Sequence, residues 1–138
     1  MPDTSVYAGP GRWRALGIVV LGAIGVGLAA NLLLWVIGLL AGGDFETDDG
    51  QGGRVTVAPA GVVMLTVVPL LVGLTVAGLI AFTWPPIIRI AQAVAVVAAL
   101  GTIVFTVQAD FDTASTITLA LMHVVLVPVS VLALERLR

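Results

Sequence analysis

The chain has 138 residues, 59% of them hydrophobic and only 10% charged, with a mean hydropathy of +1.16 and a formal net charge of −2. Too few polar side chains are present to cover a water-facing surface, which excludes an ordinary soluble domain. Cysteine is absent, so disulfides, thiolate chemistry and cysteine metal sites are excluded; lysine is absent too, and all six positive charges are arginine.

Residues 1–11, MPDTSVYAGPG, are polar and punctuated by Pro and Gly, the composition of a short, poorly ordered tail. Arg12, Trp13 and Arg14 follow, cationic and amphipathic side chains of the kind that sit at headgroup level. The next stretch, residues 15–43, carries no charge and predicts a first membrane span over 15–41. A cleaved signal peptide would have an apolar region of only about 7 to 15 residues followed by a small-residue cleavage site. The first loop, DFETDDGQGGRVT (44–56), is acidic and Gly-rich, hence expected to be solvated and flexible. A second span is predicted over 58–81. The segment FTWPPIIR (82–89) then forces a turn, since its two prolines remove backbone donors and restrict their predecessors. Trp84 and Arg89 mark this turn as another interface. A third span (90–107), a short acidic turn and a fourth span (114–134) complete the chain, which closes on Glu135, Arg136, Leu137 and Arg138.

Four spans place both ends on one side. Arg12, Arg14, Arg89, Arg136 and Arg138 share that side, with Asp3 and Glu135; Arg54 lies opposite, among Asp44, Glu46, Asp48, Asp49, Asp110 and Asp112. Cytoplasmic loops retain positive charge, so both termini are predicted inside the cell membrane and the acidic loops outside. Helices in lipid associate through close backbone approach. Small residues at intervals of four supply three candidate stripes: Ala23, Gly27 and Asn31; Pro69, Gly73, Ala77 and Ala81; Ala91, Ala95 and Ala99. The predicted fold is all-α, an integral membrane antiparallel four-helix bundle in one domain spanning 1–138.

Polar residues inside the spans are the candidates for chemistry. His123, the sole histidine, lies nine residues from Ala114; Asn31 lies ten from Ala41, and Thr66 eight from Ala58. At about 1.5 Å per residue all three fall roughly 12 to 15 Å below the outer surface, which predicts one buried polar layer. In one reading neutral His123 hydrogen-bonds Asn31 or a threonine and fixes helix register. In another it titrates or binds a ligand on a proton or solute path. Gln92, Thr102, Thr106 and Ser130 lie nearer the span ends or can bond their own helix carbonyls, and Pro69 and Pro128 are expected to kink their helices.

Two apparent motifs fail on context. Gly25-Val26-Gly27-Leu28-Ala29-Ala30 fits a dinucleotide fingerprint, but within an apolar span with no preceding strand. The run beginning at Asp44 resembles the start of a calcium loop, yet its sixth position is Asp49 rather than Gly and its twelfth is Val55 rather than Glu. No catalytic set, cofactor site, metal site or basic patch for nucleic acid is predicted.

The run Leu119-Ala120-Leu121-Met122-His123, Trp35 late in the first span and the polar first outer loop resemble a family of small four-helix membrane proteins classed as a domain of unknown function, common in actinobacteria and some archaea. The resemblance implies no activity. Three functions follow as expectations: a structural or accessory membrane subunit acting through helix contacts with a second copy or a larger membrane partner; a small transporter or channel around His123, Asn31 and Thr66; and, least supported, a membrane-embedded enzyme.

Overall fold

The computed structural model describes residues 10–138. Of the tail expected over residues 1–11, residues 1–9, Asp3 included, lie outside them, whereas Pro10 and Gly11 are helical. Four helices account for most of the described chain: α1 (Pro10–Leu40), α2 (Pro59–Ala81), α3 (Ile87–Gln108) and α4 (Thr113–Arg136). Each is long and apolar enough to cross a membrane. A small antiparallel hairpin, β1 (Glu46–Asp48) and β2 (Arg54–Thr56), joins α1 to α2.

Local chemistry sets the helix ends. Pro10 opens α1 and Pro59 opens α2, positions where a missing N–H costs nothing and φ is already helical. Helix α1 therefore begins five residues before the predicted span and carries Arg12, Trp13 and Arg14 on its first turns. It ends in a glycine cap: Gly42 adopts φ 90°, its N–H donates to Leu39, and the Gly43 N–H donates to Gly38 at 2.9 Å. Helix α4 starts where the Asp112 carboxylate accepts the Ser115 N–H at 3.0 Å. Pro69 and Pro128 lie within α2 and α4, which continue through them.

Helix α1 packs along α2 and α4, and α3 packs along α4; α2 meets α3 and α4 only sparingly. Contacts run in opposite chain order on neighbouring helices: Leu16 lies against Gly78, Gly27 between Leu70 and Leu126, and Gly38 against Thr118. The start of α1, the end of α2, the start of α3 and the end of α4 thus share one end, where Leu16, Val20, Leu74, Ala77, Ile88 and Leu134 form the core. The first small-residue stripe is packed as expected, Ala23, Gly27 and Asn31 being buried. The second is displaced. Ala77 and Ala81 are buried, but Pro69 and Gly73 are exposed, and the row Val62, Thr66, Leu70 and Leu74 makes the contact. Spacing of small residues finds a smooth face without saying that larger side chains one position along will be the ones buried.

The first loop is exposed over its hairpin, as expected, but is anchored to the helices at its base. Phe45 is fully buried with φ 56°, its ring against Trp35 at 6.0 Å between centroids. Its N–H donates to the Ser115 hydroxyl at 2.8 Å, and the Val57 N–H donates to its carbonyl at 2.8 Å. The Trp35 indole N–H reaches the Val57 carbonyl at 3.2 Å. A Cβ added to Gly38 would lie 2.6 Å from both Phe45 and Thr118, so this glycine makes the seat for the ring.

Candidate functional site

Because α2 and α3 splay apart over α4, a groove of about 610 Å³ opens between them. Its walls are mostly aliphatic: Leu65, Pro69 and Gly73 from α2, Ala91, Ala95 and Ala99 from α3, Leu126 and Leu134 from α4. The third small-residue stripe therefore lines a groove, with Ala91 also packed against the core. Among the described residues no charged side chain lines it.

Asn31, Thr66 and His123 all reach this groove. Asn31 and Thr66 are 3% and 2% exposed, and the Asn31 amide donates to the Thr66 hydroxyl at 2.9 Å. The other end of the carboxamide, Oδ1, is buried without a hydrogen-bond partner. In an apolar setting an unmet acceptor is unfavourable, so the position singles itself out. His123 departs from the first of its two predicted readings. It bonds neither Asn31 nor a threonine; its Nδ1 lies 2.7 Å from the Leu119 carbonyl of its own helix. A carbonyl only accepts, so Nδ1 holds the proton, and in the neutral ring Nε2 is left as an acceptor. The ring is half-buried.

Thr102 and Thr106 donate to the carbonyls one turn back, at 2.7 and 3.1 Å, as their positions predict. Gln92 does more than expected, tying α3 to α4 by donating to the Val131 carbonyl at 3.1 Å and to Glu135 at 3.0 Å.

The ends of the helices differ in chemistry. Arg12, Trp13, Arg14, Trp84, Arg89, Arg136 and Arg138, the predicted interface anchors, are exposed and gather at the end formed by the α2–α3 turn and the outer limits of α1 and α4. There Trp13 meets Phe82 edge-on at 5.2 Å, and the Arg12 guanidinium lies 4.8 Å over the same ring. At the hairpin end, Arg54 bridges Glu46 and Asp110, each at 3.4 Å. Asp112 accepts from the Ser115 hydroxyl and from the N–H groups of Ser115 and Asp44. These donors, the hydroxyl foremost, hold its carboxyl well below the usual carboxylate range. Asp49 is lowered as well, by the Gln51 and Gly53 N–H groups it caps within the hairpin turn.

The sequence reading missed the Phe45–Ser115–Asp112 lock. An isolated Phe among acids, and Asp-x-x-Ser before an apolar helix, were the available signals. The glycine pair of the apparent dinucleotide fingerprint lies in mid-helix of α1, where Gly27 seats Leu70 and Leu126. Among the described residues no three His, Asp or Glu side chains are placed to hold a metal ion.

Residues 9–138 match the model of a Family of unknown function (DUF6069). No curated protein and no solved structure matches the chain.

Proposed function

The chain belongs to the DUF6069 family of unknown function, and on that premise we propose that it is an integral protein of the cell membrane, an antiparallel four-helix bundle with both termini cytoplasmic. It serves as a structural or accessory subunit through helix–helix contacts rather than as an enzyme. The observation carrying this reading is the bareness of α3: 6% of its most apolar window is buried, against 28% for each of the other helices. In water such a surface would aggregate; in lipid it is solvated and open to a helix of a second copy or a larger partner. Orientation rests on the arginines, five of six at the α2–α3 turn end and Arg54 among the acids at the other. Purification in mild detergent, with mass spectrometry and an absorption spectrum of the same sample, tests the role. A stoichiometric membrane partner or a homo-oligomer is expected; a monomer with a bound chromophore would overturn it.

A second reading, a small transporter or channel, is favoured by one observation: Asn31, Thr66 and His123 open onto a single groove. It predicts that His123→Ala abolishes a flux in reconstituted vesicles while the melting temperature holds. An accessory role predicts tolerance of the same change.

A further inference from the structure

The polar groups on the α2–α3 groove keep acceptor capacity, while Thr66, which accepts from the Asn31 amide, still carries its own hydroxyl proton. The Asn31 Oδ1 has no partner. His123 Nε2 is an acceptor because Nδ1 is committed to the Leu119 carbonyl. Thr102 and Thr106 have spent their protons on their own helix and keep lone pairs. Ser130, whose hydroxyl can turn either way, adds no fixed donor demand. The rest of the lining is apolar and uncharged, aliphatic but for Phe111 and Met122, and the groove volume of about 610 Å³ lies in the range of small-molecule sites.

We propose that this groove binds one uncharged, lipid-soluble molecule bearing a hydroxyl group, the hydroxyl donating to Asn31 Oδ1 and the hydrocarbon body lying along Gly73, Ala95 and Leu134. A charged headgroup is disfavoured because no counter-charge lines the groove and its desolvation would go uncompensated. A ketone, ester or ether of the same shape fills the groove and can take the Thr66 proton, but it brings only acceptors and leaves Asn31 Oδ1 unmet. The stripe of small residues on α3 keeps the groove wide, and the buried Asn31 carboxamide gives it a polar address; neither feature alone defines a site.

The inference rests on the membrane embedding proposed above and is independent of whether the chain is an accessory subunit or a transporter. The test uses the full chain in nanodiscs of neutral phospholipid, with hexadecanol carrying a chain-terminal diazirine as photolabel. Saturable labelling of α2 and α3 is expected, with unlabelled hexadecanol displacing the probe at concentrations about 5- to 10-fold lower than its methyl ether. Asn31→Leu should erase the difference between alcohol and ether, with the fold checked by thermal melting. Gly73→Leu acts independently of Asn31: a Cβ at this glycine meets open space, so the side chain enters the groove and labelling is lost. Equal displacement by alcohol and ether in the native chain would overturn the donor chemistry. Labelling that does not saturate, or that survives Gly73→Leu, would overturn the site. Failure of the chain to enter nanodiscs at all would instead overturn the membrane reading.

Discussion

Asn31 and Gly38, two turns apart on α1, show how single residues decide this protein. Asn31 is held to α2 through Thr66, a bond of the kind worth about 0.6 kcal/mol, at most about 1.7, between helices in lipid. Thr66→Val should therefore lower the melting temperature only slightly in mild detergent, while freeing the Asn31 amide. Gly38 is the sharper case. Its added methyl would meet the Phe45 ring and Thr118, both packed, whereas a methyl at Gly78 meets chiefly the end of a flexible leucine, Leu16. Gly38→Ala is predicted to destabilise by about 1 to 3 kcal/mol and Gly78→Ala by clearly less, measured by thermal or denaturant unfolding in detergent. Equal effects would show that the Phe45 seat is loose. That Asn31 and Thr66 meet at one level of the bundle was legible by counting residues along each span. His123 turning to its own carbonyl was not, because rotamer choice depends on neighbours that a single chain read in order does not reveal.

At the scale of elements, the link between α1 and α2 is built into the bundle rather than hung from it. The hairpin is tied to α4 by Asp112 and Ser115 and to α1 through Trp35. Because the Asp112 carboxyl is lowered in the folded state, its contribution is complete above the unfolded value of about 3.9 and is lost as pH falls from there through the folded value. Trp35 fluorescence, followed after Trp13→Phe and Trp84→Phe, should stay constant from neutral pH down to about 4 and change below it. Asp112→Ala should produce the changed spectrum at neutral pH. A transition centred near pH 6 would contradict the lock. The four apolar segments and a proline turn after Ala81 were readable from hydropathy and backbone chemistry alone, although residues 87–89 of the expected turn already belong to α3. The hairpin was not, since its strands are three residues each and its only buried apolar side chain is contributed by one phenylalanine flanked by acids.

For the whole molecule, the pairing of helices follows from where large and small side chains meet, and it leaves α3 on the outside. Small-residue spacing located the α1 stripe around Gly27, but it could not foresee that Ala91, Ala95 and Ala99 would face a groove, because the pattern records smoothness and not the presence of a neighbour. The charge pattern adds the remaining dimension. Five of the six arginines lie at one end with Trp13 and Trp84, and Arg54 lies at the other among most of the acids; on the membrane reading proposed above, this imbalance sets the direction across a bilayer. Moving that balance should move the protein: replacing Arg89, Arg136 and Arg138 by Ser while adding arginines at Gln51 and Thr113 is expected to yield a mixed or inverted population, read by protease protection of a C-terminal tag.

The chain has no cysteine of its own, so single introduced cysteines report orientation without background. Gln51→Cys in the exposed hairpin turn and Thr83→Cys in the exposed α2–α3 turn would be exposed to a membrane-impermeant maleimide in intact cells. A membrane-spanning bundle with cytoplasmic termini predicts labelling at position 51 in intact cells and at position 83 only after permeabilisation. Labelling of both positions in intact cells, or of 83 alone, would contradict it.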